Sequence, residues 1–272
     1  MGEARQKENR RRTFLNMNPL CIYCGGPATT TDHCPPRCFF ESRVWPEGYE
    51  FPACHPCNQA ARLDEQVMAV LVRMKLTKTG KDTDRIAWEK LALGLKNNQR
   101  DIVAEWTSLT RNENRRALRE AFGRDGDSFR SYGWSAINLG PLTQAAIQRF
   151  MIKLSKALYY LHNKKIFDGV LYVYHINVQG KDDAPTYLNE ILKMAPSLPS
   201  IQRNSKPLLD QFIYRFNHSE EHGVMYAVIQ LSDEFLFQVI ALSKKMEADL
   251  LVLSGTPELS GVGRHECFLP TQ

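Results

Sequence analysis

The sequence predicts an α+β fold in which a small cysteine-rich strand–strand–helix unit precedes a larger body of helices and a mostly antiparallel sheet. Six of the seven cysteines fall between Cys21 and Cys57. Apolar residues recur at helical spacing over 141–162. From residue 170 onward, β-rich runs follow one another with short connections, which is typical of antiparallel strands.

The composition is that of a globular protein with no membrane span. The 272 residues are 43% hydrophobic and carry a formal net charge of +5, so the chain can bury a core without disulfides. No apolar run approaches the roughly 20 residues of a membrane span, and the charged N-terminus lacks the apolar stretch of a secretory signal. We therefore expect a cytoplasmic protein that makes no membrane contact. The mild positive charge permits a polyanionic partner without requiring one.

Three regions divide the sequence. Residues 1–19 form a basic arm that we expect to be disordered, with an alternative role along phosphates. Residues 20–77 hold the clustered cysteines, and residues 83–272 form an α+β body. We expect the body to serve in substrate recognition, in regulation, in formation of a homodimer or in binding of a partner protein. The basic residues of the arm are Arg5, Lys7, Arg10, Arg11 and Arg12.

Within the cysteine-rich region, Ala28–Thr31 and Tyr49–Phe51 are predicted as two short strands. A helix is predicted from about Asn58. Its expected inward face comprises Leu63, Val67, Val70, Leu71 and Met74.

The body is predicted to contain helices and strands of ordinary length. Helices are expected at 84–95, 97–109, 112–122, 141–162 and 184–194. Strands are expected at 170–178, 211–216, 224–231, 235–242 and 250–253, with a hairpin turn at 232–234.

The spacing of four cysteines predicts a metal site. Cys21-x-x-Cys24 and Cys54-x-x-Cys57 each present two thiolates to one point, and four thiolates in a tetrahedron suit zinc. A closed all-thiolate shell leaves no open position for chemistry, so this zinc is expected to be structural. The remaining thiols are expected to be small, partly buried side chains or free, namely Cys34, Cys38 and Cys267.

A second set of residues suggests catalysis. Asp32 and His33 lie between the two cysteine pairs, and Asn58 directly follows the last cysteine. Asp32 is a hard ligand suited to Mg²⁺ or Mn²⁺, and Asn58 offers a carbonyl oxygen to the same ion. His33 can take the proton of an attacking water. In a strand, Asp32 and His33 point to opposite faces.

These residues resemble the HNH endonuclease family in its ββα-metal finger form with zinc-binding cysteines. The resemblance rests on CIYCGGPATTTDHCPPR at 21–37 and FPACHPCN at 51–58. It implies that His33 activates water and that Asp32 and Asn58 serve one catalytic divalent ion. The chain departs from many members because no histidine follows Asn58 until His162. Asp64 is the nearest hard ligand, with a solvated helix residue as its alternative role.

The expected activity is metal-dependent hydrolysis of phosphodiester bonds, with DNA favoured over RNA as the substrate. Arg37, Arg43 and Arg62 flank the predicted finger and can hold phosphate. One alternative is a non-catalytic zinc-dependent module that binds nucleic acid or protein. Another is a nuclease subunit that is silent until a partner engages the body. By association with compact nucleases of this type, a role in phage defence or in mobile elements is expected.

Overall fold

The computed structural model describes residues 2–74, 82–133, 135–176, 184–232, 235–254 and 264–267. The helices are α1 (Gly2–Met17), α2 (His55–Ala60), α3 (Arg62–Arg73), α4 (Asp82–Asn98), α5 (Arg100–Trp106), α6 (Arg111–Phe122), α7 (Gly126–Ser131), α8 (Pro141–Asn163), α9 (Ala184–Lys193) and α10 (Lys244–Ser254). The strands are β1 (Thr30–His33), β2 (Glu50–Ala53), β3 (Gly169–His175), β4 (Gln202–Arg203), β5 (Lys206–Pro207), β6 (Phe212–Ser219), β7 (Val224–Leu231), β8 (Phe235–Ser243) and β9 (Arg264–Cys267). No helix within these ranges has both the length and the apolar character needed to cross a membrane.

The N-terminal unit has the order strand, strand, helix. β1 and β2 pair antiparallel, with Thr30 opposite Ala53 and His33 opposite Glu50. α2 begins earlier than the sequence predicts, because Cys54 accepts a hydrogen bond from the Cys57 amide and so caps the helix. The helix is interrupted at Ala61 before α3 continues.

The main sheet has the strand order β6-β7-β8-β3-β9, and every neighbouring pair is antiparallel. This confirms the predicted mixed fold with its antiparallel sheet. Alternation along β3 sends Leu171 and Val173 to the core shared with α8, and Val170 and Tyr172 to the opposite face. α9 and α10 pack on that opposite face.

Helix α8 joins the N-terminal unit to the sheet. Phe150 and Leu154 of α8 belong to the same buried cluster as Phe51 of β2, Met68 of α3 and Phe237 of β8. The helix ends at Lys164, which adopts a left-handed conformation and donates its amide to the Tyr160 carbonyl. Regions 20–77 and 83–272, which the sequence separates, therefore share one hydrophobic core.

The basic arm is helical. The sequence predicts disorder over residues 1–19, but Gly2–Met17 form helix α1. The segment from Glu3 to Arg12 contains strong helix formers and neither glycine nor proline. Arg11 donates to the Thr29 carbonyl at 2.9 Å, which joins α1 to the N-terminal unit.

The strand predicted at 250–253 is wrong, because these residues belong to α10. Lys244–Ala248 favour helix, Ser243 accepts a hydrogen bond from the Met246 amide, and Met246 and Leu250 pack one turn apart on the sheet. Leu63 also departs from the predicted inward face of its helix, since 46% of it is exposed.

Other differences from the predicted elements are smaller. β4, β5 and β9 are too short to show a pattern in the sequence. Asp233 and Glu234 of the predicted turn, and residues 177–178 of the predicted strand, lie outside the described residues.

A line of polar aromatic contacts connects the N-terminal unit to β6. The Tyr49 and Tyr214 hydroxyls lie 3.0 Å apart, and His162 Nε2 lies 2.8 Å from the Tyr214 hydroxyl. The His162 ring also stacks on Phe216. Burial, with smaller effects of His218 and Lys164, lowers the pKa of His162 to about 4.

This pKa predicts acid sensitivity. Because the folded-state pKa of His162 lies below its unfolded value of 6.5, the neutral ring stabilises the fold above that pH. The contribution is lost as pH falls from 6.5 towards 4. We expect denaturant unfolding to show a shallower pH dependence in His162→Gln than in wild type, with exposed His222→Gln as the control. Parallel pH profiles for wild type and His162→Gln would contradict this assignment.

Candidate metal centre and active site

Four cysteines meet at the junction of the β1–β2 hairpin and α2. The sulfurs of Cys21, Cys24, Cys54 and Cys57 all lie within 4.8 Å of one another, and those of Cys24 and Cys54 are 3.7 Å apart. Tetrahedral zinc with bonds of about 2.3 Å separates its sulfurs by about 3.8 Å. This group can therefore hold a metal ion, and its chemistry is consistent with structural zinc.

The local backbone explains why both thiols of the first pair face the same point. The Cys21 amide donates to the Gly26 carbonyl at 2.7 Å, and the Gly25 amide donates to the Cys21 carbonyl at 2.8 Å. Gly25 has φ of +74°, which glycine adopts without strain. The second pair is brought close because the His55 amide donates to the Thr29 hydroxyl at 3.0 Å.

The other three cysteines lie outside this group. Cys34 and Cys267 are buried and Cys38 is partly buried, and none of the three forms a disulfide. Burial raises the pKa of Cys34 well above its usual value and that of Cys38 to about 11. Both thiols therefore stay protonated at neutral pH, as expected for small structural side chains.

Strand β1 directs Asp32 and His33 to opposite sides of the hairpin. Asp32 faces inward and is only 5% exposed. Its Oδ2 accepts hydrogen bonds from the Tyr23 hydroxyl and from the Lys153 ammonium, each at 2.7 Å. The carboxylate that the sequence assigns to a divalent ion is thus paired with a lysine of α8.

Lys153 also forms an ion pair with Glu65 of α3. Burial lowers the pKa of Lys153, but Asp32, Cys34 and Glu65 outweigh it, so the net shift is upward and the ammonium stays charged. Burial raises the pKa of Glu65 to about 7, although Lys153 opposes that shift. One turn earlier on α8, Arg149 donates two hydrogen bonds to Asp64, at 2.9 and 2.7 Å.

His33 faces outward, where two charged groups compete for its Nε2. The Arg37 guanidinium lies 2.6 Å from Nε2 and the Glu50 carboxylate lies 2.8 Å from it. Burial, and then the charge of Arg37, lower the pKa of His33 against the opposing effect of Glu50. The lowered pKa favours a neutral ring at physiological pH, in which the tautomer decides whether Nε2 accepts from Arg37 or donates to Glu50.

Beside His33, Trp45 is held between two guanidinium groups. Arg37 lies 3.7 Å from the indole centroid, and Arg203 lies 3.9 Å from it. Burial, and then the charges of Arg43 and Arg203, lower the pKa of Arg37 against the opposing effect of Glu50. We call this surface the outer basic patch; it comprises His33, Arg37, Arg43, Trp45 and Arg203.

Sequence reasoning missed Arg203 and Trp45. Arg203 belongs to the short β4–β5 hairpin, which docks where the Glu47 amide donates to the Gln202 carbonyl at 3.0 Å. Arg203 itself donates to the Trp45 carbonyl at 3.4 Å. The one local signal was that Trp45 lies close in sequence to two of the arginine candidates, Arg37 and Arg43. Arg203 reaches the site only through tertiary structure.

The other predicted site residues are dispersed. The Asn58 side-chain amide donates to the Thr31 carbonyl at 3.4 Å, which ties α2 to β1. Arg62 is exposed at the start of α3, and Arg43 is exposed near Trp45. Asp64 is buried against Arg149, so its alternative as a solvated helix residue is wrong.

As arranged, these groups do not fit a bound Mg²⁺ or Mn²⁺. Asp32 and Asp64 are each paired with a cationic side chain of α8. Mg²⁺ normally keeps several of its waters, and the buried Asp32 carboxylate gives little access to solvent.

The zinc assignment predicts the metal content of the protein. We expect one zinc per chain in wild type and its loss in Cys57→Ser, with a marked loss of thermal stability. The physical reason is that zinc binding to such thiolate sites contributes about 10 kcal/mol or more to folding. Metal analysis and thermal unfolding of Cys57→Ser measure both effects. The matched control, Cys38→Ser, should keep its zinc, and full zinc occupancy in Cys57→Ser would contradict the assignment.

Comparisons with protein-family models, with curated proteins and with solved structures find no match to this chain. Its function is therefore inferred from its own residues and their arrangement.

Proposed function

We propose that this chain is an endonuclease that hydrolyses phosphodiester bonds of nucleic acid, with DNA favoured over RNA. The observation that carries the proposal is His33. This histidine ends β1, its pKa is lowered, and it faces outward beside two guanidinium groups. A neutral imidazole next to a phosphate-binding surface is the arrangement that general-base hydrolysis needs.

The outer basic patch supplies the electrostatic part of the reaction. A phosphate placed there accepts hydrogen bonds from Arg37 and Arg203, which stabilise the charge that develops on its oxygens. Trp45 offers an aromatic surface to a neighbouring base. The Glu50 carboxylate contacts His33 and is open to solvent, since 45% of the Glu50 side chain is exposed.

The proposed step follows from these positions. His33 Nε2 takes a proton from water while the water oxygen forms a bond to phosphorus. The P–O ester bond breaks, and the leaving oxygen is protonated from solvent. The imidazolium that forms is stabilised by Glu50, which lies 2.8 Å from Nε2.

The assignment to HNH endonucleases belongs to this proposal. It is supported by the order of β1, β2 and α2, by the cysteine pairs that precede β1 and follow β2, and by Asn58 in the helix after the last cysteine. The resemblance also implies Mg²⁺ or Mn²⁺ at Asp32 and Asn58, which would neutralise charge on the scissile phosphate. Because that ion does not fit the observed arrangement, we assign no step to it. A cytoplasmic location is part of the same proposal.

A second candidate is a zinc-dependent module that binds nucleic acid without cutting it. The pairing of Asp32 with Lys153 favours this alternative, because it occupies the carboxylate that the nuclease resemblance assigns to the catalytic ion. The two candidates differ in one result. In a nuclease, replacement of His33 removes cleavage while nucleic-acid binding is kept; a binding module has no cleavage to lose.

Cleavage assays test the nuclease directly. We expect wild type to cut supercoiled plasmid or labelled single-stranded DNA or RNA, and His33→Ala to be slower by about 100-fold or more, which is typical for loss of a general base. His55→Ala is the matched control, because His55 is exposed in α2 and away from the outer basic patch. Parallel reactions with EDTA, Mg²⁺ and Mn²⁺ measure metal dependence separately. No cleavage by wild type under any of these conditions would rule out a nuclease that acts alone.

Binding assays test the outer basic patch. We expect Arg203→Ala to weaken binding of labelled oligonucleotides several-fold and to reduce the slope of log affinity against log salt by about one, since one phosphate contact is lost. Fluorescence polarisation at several salt concentrations gives both values, and Arg100→Ala is the control at an exposed arginine of α5. Equal salt slopes for wild type and Arg203→Ala would remove Arg203 from the interface.

A further inference from the structure

The inner face of the hairpin holds a buried cation of its own. Lys153 Nζ contacts Asp32 Oδ2 at 2.7 Å and is also paired with Glu65. It lies 5.3 Å from the centroid of the Tyr23 ring, whose hydroxyl donates to the same Asp32 oxygen. Lys153 is 7% exposed, so this ammonium has been removed from water and depends on these partners.

Two carboxylate oxygens that bind one ammonium lie no more than about 5–6 Å apart. Oxygen ligands of a single Mg²⁺ or Mn²⁺ lie about 3–4 Å apart, so a small approach of Asp32 and Glu65 would let one ion bridge them. A divalent ion and the ammonium cannot share this place, because their charges would repel at short range with little water to screen them.

We propose that Lys153 is the resident cation of the Asp32 site, where it takes the place that a divalent ion would use. The chain in this arrangement therefore binds no Mg²⁺ or Mn²⁺ at Asp32, and such an ion gains the site only when Lys153 is removed or withdrawn. The assignment of Asp32 as an ion ligand comes from the proposed function. The test reads ion binding, which is independent of cleavage.

The rest of α8 fixes Lys153 in this place. Arg149 pairs with Asp64 on one side of Lys153, and Lys156 donates to the Tyr23 carbonyl at 3.1 Å on the other. The three side chains span nearly two turns of one helix and all contact the N-terminal unit. Movement of this part of α8 would therefore break three polar contacts with the N-terminal unit at once.

The test is Mn²⁺ binding to zinc-replete protein, measured by electron paramagnetic resonance and by calorimetry. Lys153→Met keeps the length of the side chain and removes its charge. We expect it to bind one additional Mn²⁺ at least ten-fold more tightly than wild type, and Lys153→Met/Asp32→Asn to lose that binding. Lys156→Met is the matched control on the same helix: it removes an ammonium that contacts the Tyr23 carbonyl and not Asp32, and it should gain no additional Mn²⁺.

Two results would overturn the proposal. The first is wild-type protein that binds one Mn²⁺ as tightly as Lys153→Met does, with the binding lost in Asp32→Asn. The second is folded Lys153→Met that gains no Mn²⁺. If Lys153→Met does not fold, wild type against Asp32→Asn decides: Mn²⁺ binding lost in Asp32→Asn overturns the proposal, and no Mn²⁺ binding by wild type supports it. Absence of cleavage in every variant would remove the proposed nuclease and leave these binding results as they are.

Discussion

The two-residue repeat of strand β1 places Asp32 inside the molecule and His33 outside it. The same alternation assigns each residue its partners, so Asp32 meets α8 and α3 while His33 meets Arg37, Glu50 and Trp45. A shift of one residue in the β1–β2 register would exchange the two faces. It would place an imidazole against the Lys153 ammonium and a carboxylate beside the arginines, so the register keeps His33 on the outer face and Asp32 paired on the inner one.

That register is held from both ends. At one end the two cysteine pairs fasten the start of the hairpin to α2, and at the other the hairpin lies on the core shared with α8 and the sheet. A unit of this size has little apolar surface to bury by itself. The four-cysteine group and the ion pairs from α8 therefore act together, and we expect changes in α8 to affect the cysteine-rich unit although they lie far away in the chain.

The features that the sequence predicted are local ones. The cysteine spacing, a short strand near Thr30 and the long apolar stripe of α8 each follow from residues close together in the chain. The structure shows all three, although the strand predicted at Ala28–Thr31 lies two residues later, at Thr30–His33. Lys153 and Arg203, which complete the two faces of the hairpin, reach it from distant segments, and no pattern around either residue indicates this. The strand at 250–253 was also predicted wrongly because the deciding information is not local. Its apolar run suits a buried strand and a buried helix equally, and the preceding residues and their packing determine that it is a helix.

The two faces of the hairpin also differ in how exposed their charged side chains are. On the outer face the cations are partly exposed, since a third of the Arg37 side chain remains accessible to solvent. On the inner face Asp32 is buried and Glu65 is partly buried, and a buried carboxylate stays ionised only with a cation beside it. Lys153 supplies that cation from within the chain. Because an ammonium can neutralise two nearby carboxylates as a divalent ion would, the inner face is balanced in charge by the residues of the chain itself.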